Sequence, residues 1–161
     1  MKILISNTLT RKSFDVINIL LIHFSNTELI FGFSKSEKLK MKLIYRTVNS
    51  ELLRKDENFF SDLDTISEKY KHEDIVFIPV EEETTLMFLK YITKFGERNF
   101  KFYLPDLKFF NLSRNKNELN IFCEKNEIPC PKSISEKDFY SKKFDFPIIV
   151  KPKNGSGSNG I

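Results

Sequence analysis

The feature that most restricts how this chain can fold is a hydrophobic period that switches repeatedly between Met1 and Pro105. Short apolar runs read as strands: Ile3-Leu4-Ile5, Leu29-Ile30-Phe31-Gly32-Phe33, Leu43 to Val48, Ile75-Val76-Phe77-Ile78 and Phe100 to Leu104. Runs that are apolar on every residue suit strands buried on both faces of a parallel sheet. Between them the apolar residues recur at helical spacing. Phe14, Ile17, Leu20, Leu21 and Phe24 do so from Ser13 to Phe24, and Phe59, Leu63, Ile66 and Tyr70 give the face of a second helix. A third helix carries Leu86, Leu89, Ile92 and Phe95. Glu81, Glu82, Glu83, Thr84 and Thr85 bring negative charge and capping hydroxyls to its start, and Gly96 stands at a C-cap position.

Strand–helix alternation of this kind predicts an α/β architecture: an open, mainly parallel sheet flanked by helices, with right-handed crossovers. In such sheets ligands sit beyond the carboxyl ends of the strands. Ser6-Asn7-Thr8, Asn49-Ser50 and Glu81-Glu82-Glu83 are therefore expected at one edge, with Asn7, Glu81 and Glu82 as candidate substrate contacts. The glutamates equally serve as plain helix N-terminal charge. A receiver-like signalling domain would need an acidic cluster after the first strand, and Ser6-Asn7 does not supply one.

After Asp106 the pattern changes. Asn115-Lys116-Asn117-Glu118 has the spacing of a capping box, and Leu119, Phe122 and Cys123 follow as an apolar helix face. Pro129 and Pro131 end that helix. The polar stretch Ser135 to Lys143 suits a short helical turn, and Phe146-Pro147-Ile148-Ile149-Val150 reads as another strand. The boundary falls within 106–114, giving domains 1–111 and 112–161, the second of them incomplete.

Composition removes several function classes. A net charge of +4 is modest, and the densest basic stretch (Lys35, Lys38, Lys40, Lys42, Arg46) is interleaved with only one aromatic, Tyr45. It reads as a solvated face rather than a nucleic-acid surface. Cys123, Cys130, His23 and His72 lack paired zinc-ligand spacing, so two free thiols in a reducing cytoplasmic compartment are expected. The longest apolar stretch, Ile17 to Phe24, is too short to span a membrane.

The densest chemical signal is Lys151-Pro152-Lys153-Asn154-Gly155-Ser156-Gly157-Ser158-Asn159-Gly160. Glycines let backbone N–H groups turn toward phosphate, and a nearby lysine adds charge. A dinucleotide fingerprint would join the first strand to its helix directly, with an acidic residue about 20 positions later. A P-loop would end in Gly-Lys-Ser/Thr, whereas Gly160 is followed by Ile161. A kinase loop has its lysine on a later strand. What remains is a strand-borne lysine leading into a Gly/Ser loop over phosphates; a plain flexible tail is the structural alternative.

The stretch 146–161 resembles the strand and glycine loop that open the ATP-grasp fold, especially in carbamoyl-phosphate-synthetase-like members. Asn115-Lys116 and Ile128-Pro129-Cys130-Pro131-Lys132 are similar to the segment before that strand, with Asn115 where the family usually has aspartate. The sheet of residues 1–105 resembles the Rossmann-like pre-ATP-grasp domain, with Ile78-Pro79-Val80-Glu81-Glu82-Glu83 similar to its strand-end acidic segment. The resemblance implies an ATP-dependent ligase joining a carboxylate to an amine or thiol through an acyl phosphate. It also implies that Lys116 and Lys151 hold ATP phosphates and that Gly155, Ser156, Gly157, Ser158 and Gly160 cover them. Mg²⁺ ligands and the adenine site would lie further along, so the 161-residue chain by itself is expected to be inactive. The competing expectation is a non-catalytic nucleotide- or small-molecule-binding α/β module.

Overall fold

The computed structural model describes residues 1–25, 27–37, 40, 49–141 and 146–154. They fall into two compact units, Met1–Leu104 and Pro105–Ile161.

The first unit is an α/β domain around a five-stranded parallel sheet of order β3-β2-β1-β4-β5. Its strands are β1 (Lys2–Ile5), β2 (Leu29–Phe33), β3 (Asn49–Leu52), β4 (Ile75–Ile78) and β5 (Phe100–Lys101). Its helices are α1 (Arg11–His23), α2 (Phe59–Lys69) and α3 (Glu82–Phe95). This is the open, Rossmann-like arrangement expected from the alternating periods. β1 pairs with β2 in the register Ile3↔Leu29 and with β4 in the register Lys2↔Ile75.

The pleat sorts side chains onto two faces. Ile3 and Ile5 of β1 and Leu29, Phe31 and Phe33 of β2 pack with Ile17 of α1. Leu4, Ile30, Ile75 and Phe77 face the other way, onto Phe59, Leu63 and Ile66 of α2 and Phe88 and Tyr91 of α3. That second core is largely aromatic. Phe88 stacks on Phe77 with ring centroids 4.0 Å apart and meets Phe100 and Phe102 edge-on at 5.6 and 5.3 Å.

Several sequence expectations need correction. The run Leu43 to Val48 lies outside the described residues; the described third strand is Asn49–Leu52, so Asn49 opens a strand instead of following one. The fifth strand stops at Lys101 rather than Leu104, and Tyr103 is fully solvated. On α1, Leu21 is 38% exposed rather than part of the core face, while Ile17, Leu20 and Phe24 pack with the sheet's core. That helix also begins two residues earlier than its apolar period suggests. Thr10 caps it in a reciprocal box with Ser13, which satisfies two backbone donors before the first apolar turn.

The second unit holds α4 (Leu107–Arg114), α5 (Lys116–Lys125) and α6 (Glu136–Tyr140). Each starts at a capping side chain: Asp106 accepts from the Phe109 N–H, Asn115 from Glu118 and Ser135 from Asp138. Helices this short are marginal on propensity alone, so these caps carry weight. None of the unit's described residues is fully buried. The run Phe146–Val150 is not a strand: it has no ladder partner among the described residues, and Phe146, Ile149 and Val150 are 80%, 71% and 67% exposed.

Candidate functional site at the sheet edge

The strand order reverses between β1 and β4, since the chain leaves β1 toward β2 on one side and returns to β4 on the other. Open α/β sheets bind ligands in a crevice at such a switch point, beyond the carboxyl ends of the strands. Here its lips are the β1–α1 loop, Ser6 to Thr10, and the β4–α3 loop, Pro79 to Glu81.

A chain of hydroxyls holds the two lips together. The Val80 N–H donates to Ser6 Oγ at 3.1 Å, Ser6 Oγ lies 3.0 Å from Thr84 Oγ1, and Thr84 Oγ1 donates to the Glu81 carbonyl at 3.0 Å. With the Thr84 proton committed to that carbonyl, Ser6 is the donor between the two hydroxyls, and each group is used once. Ser6 and Thr84 are 0% and 1% exposed. Thr8 Oγ1 donates to the Gly32 carbonyl at 3.0 Å and fastens the same loop to β2. Gly32 is needed in β2 because a Cβ there would come within 2.9 Å of Leu53 Cδ2 and 3.1 Å of the Ile5 carbonyl.

Asn7, between these two anchors, differs from them. Its backbone is left-handed, at φ 56°, which asparagine tolerates better than most residues. It is 8% exposed, and its Nδ2 has no hydrogen-bond partner among the described residues. A buried amide donor without an acceptor is costly, and native structures contain few of them.

Glu81 and Glu82 reach the edge as the sequence suggested, in different roles. Glu81 is the N-cap residue of α3 without a capping side chain; its carboxylate takes Lys55 Nζ at 2.9 Å, joining the β3–α2 loop to the β4–α3 loop. Both partners are about one-third exposed, so the pair contributes about 0–1 kcal/mol. Glu82 and Glu83 lie in the first turn of α3, where they complement the helix dipole. Thr84 and Thr85 turn back to the Glu81 carbonyl instead of capping.

Asn49 and Ser50 belong to the opposite edge. Asn49 pairs with Ile30 near the start of β2, and its Nδ2 donates to the Thr27 carbonyl at 3.0 Å. The loops at the carboxyl edge after β3 instead contribute Arg54, a bidentate partner of the buried Asp62 at 2.9 and 2.6 Å. Asp62 also accepts the Arg54 N–H, so this pair fixes the loop and leaves the guanidinium engaged.

In the second unit, the Lys116 N–H at the start of α5 donates to the Lys153 carbonyl at 3.0 Å. This contact brings Lys116 beside the segment that carries Lys151. Lys151 and Lys153 are exposed and form no ion pair among the described residues. Gly155, Ser156, Gly157, Ser158 and Gly160 lie outside the described residues. Cys123 and Cys130 are free and half-buried, and burial together with the neighbouring Cys123 pushes the Cys130 thiol up. No group of three His, Cys, Asp or Glu side chains among the described residues could hold a metal ion, and no described helix is long and apolar enough to cross a membrane.

At the level of class, fold and edge define a Rossmann-like α/β domain with a topological switch point, followed by a small helical unit. No family model matches the chain, and no curated protein does.

Proposed function

We propose that the chain is the N-terminal part of an ATP-dependent ligase of ATP-grasp type, carbamoyl-phosphate-synthetase-like, that joins a carboxylate to an amine or thiol in the cytoplasm. The observation that carries this reading is the meeting of its two basic segments, since the Lys116 N–H bonds the carbonyl of Lys153, two residues after Lys151. Two lysines beside a helix N-terminus suit the oxyanions of a triphosphate.

ATP supplies the phosphoryl group that turns a carboxylate into an acyl phosphate. Within that chemistry Lys116 and Lys151 hold and orient phosphate oxygens as point charges. The resemblance assigns the Gly155–Gly160 run the role of supplying backbone N–H donors to the same phosphates. The described residues do not form a site that fits Mg²⁺, and no step is assigned to the metal.

The test uses the whole reading frame that contains this chain, incubated with ATP, Mg²⁺ and hydroxylamine, which captures acyl phosphates as hydroxamates. Candidate carboxylates, bicarbonate included, are supplied one at a time. We expect ADP and hydroxamate to form together, and Lys151→Ala or Lys116→Ala to raise the KM for ATP about ten-fold or more, the cost of a lost charged hydrogen bond. ATP binding without ADP release would favour the alternative, a non-catalytic nucleotide-binding module. An unchanged KM in both variants would remove the reading altogether.

A further inference from the structure

We propose that the switch-point crevice of the first unit is a binding site for a small oxyanion, a carboxylate or phosphate group, held by the Asn7 amide and the first turn of α1. The proposal is independent of the ligase reading and of the lysines of the second unit.

Three observations meet there. Asn7 is 8% exposed with an Nδ2 donor lacking a partner among the described residues, so the β1–α1 loop holds a desolvated hydrogen-bond donor with no acceptor among them. Such a donor accepts only an acceptor ligand as its partner. The loop is also anchored on both sides of Asn7: Ser6 is held by Val80 and Thr84, and Thr8 by Gly32.

The second observation is electrostatic. The first turn of α1 contains no acidic residue; it holds Arg11 and Lys12, both exposed and without an ion pair among the described residues. Cations at the positive end of a helix dipole are unfavourable unless an anion offsets them. By contrast, α3 carries Glu82 and Glu83 in its first turn, and Glu81 is neutralised by Lys55. Of the two helices entering the crevice, α1 alone presents uncompensated positive charge.

The third is position. The switch point is where open α/β sheets place their ligands, and Asn7 and the start of α1 form one of its two lips. A carboxylate or phosphate can accept from Nδ2 and from the exposed first-turn N–H groups while sharing the charge of Arg11 and Lys12.

The experiment titrates the ¹⁵N-labelled chain with sodium phosphate and, separately, sodium acetate, against sodium chloride at equal ionic strength. Saturable movement of the Asn7 side-chain amide and of the Arg11 and Lys12 backbone amides is expected with one or both probes. Which probe binds more tightly separates a phosphate from a carboxylate preference. Asn7→Gly tolerates the left-handed backbone and removes only the amide, so it should keep the urea midpoint and weaken binding about ten-fold. Asn7→Asp should weaken it further by placing a negative charge at the same point. Lys151→Ala should change nothing. The proposal is overturned if neither probe gives saturable shifts, if chloride reproduces them, or if Asn7→Gly binds as the parent does.

Discussion

Phe88→Ala tests whether the aromatic core behind β4 is what holds α3, and with it one lip of the crevice, in place. Phe88 is 0% exposed and its neighbours Phe77, Tyr91 and Phe100 are 2%, 0% and 0% exposed, so none has free space through which to collapse into the hole. Burying and then truncating a phenylalanine costs about 3–5 kcal/mol, from lost transfer energy and the remaining cavity. The stacked contact with Phe77 at 4.0 Å and the edge contacts with Phe100 and Phe102 each add about 0.5–1.5 kcal/mol beyond area, though not additively. The expected loss is therefore at the upper end, about 4–5 kcal/mol. A domain of about 100 residues has only about 5–15 kcal/mol in total, so the variant should be at the margin of folding. Urea unfolding followed by circular dichroism reads the effect, with Phe88→Leu as a milder version expected to cost roughly half as much. Ile22→Ala, at a site 76% exposed, should change stability by no more than about 0.5 kcal/mol. A loss below about 2 kcal/mol for Phe88→Ala would refute the claim that this cluster is rigid and tightly packed.

Two further outcomes follow from buried polar groups. Ser6→Ala removes the acceptor of the Val80 N–H while Thr84 keeps its bond to the Glu81 carbonyl, so it should cost about 1–2 kcal/mol and speed amide exchange at Val80; unchanged exchange there would contradict the hydroxyl chain. Tyr91 donates to Asp64 at 2.6 Å, and burial first and that bond second push its phenol far above the ordinary range. A raised folded pKa means the neutral phenol stabilises the fold below the unfolded value of about 10, and that this stability is lost as pH climbs above it. Tyr91→Phe should flatten that alkaline decline; an equally steep decline in the variant would show that other groups cause it.

The central sheet was legible because its strands are buried on both faces. All five residues of β2 are buried, and an uninterrupted apolar run is the trace that double burial leaves in a sequence. β3 left no such trace. Asn49-Ser50-Glu51-Leu52 is an edge strand with its first two residues exposed, so nothing apolar marked it and the apolar run before it drew attention instead. β5 was overextended because Phe102 packs on the core without joining the ladder, and an apolar residue looks the same in either role. α4 was missed although its signal was present: Asp106 follows Pro105, and its carboxylate caps the Phe109 N–H at 2.8 Å. Asp after Pro marks a boundary in the sequence and a helix start in the structure.

The site was legible only as far as topology reaches. The rule that ligands lie beyond strand ends put Ser6, Asn7 and Glu81 at the carboxyl edge of the sheet, where the structure has them, because it depends on element order and not on side chains. It could not reveal that Ser6 meets Thr84, 78 positions away, or that Asn7 keeps an unpartnered donor; both depend on how the loops close. Nor could it separate the two helix starts, which differ in a way that matters chemically. Glutamates neutralise α3, so an anion gains little there, while Arg11 and Lys12 leave α1 positive. An oxyanion at the crevice should therefore lie closer to the β1 lip than to the β4 lip. If the ligase proposal also holds, the division of labour follows from charge. Lys116 and Lys151 would serve the triphosphate, and the Asn7 lip would hold a separate small oxyanion. Asn7→Gly would then raise the Kd for that oxyanion and leave the KM for ATP unchanged, with the reverse pattern in Lys151→Ala. Variants that moved both constants together would show a single shared site and would end the argument for two.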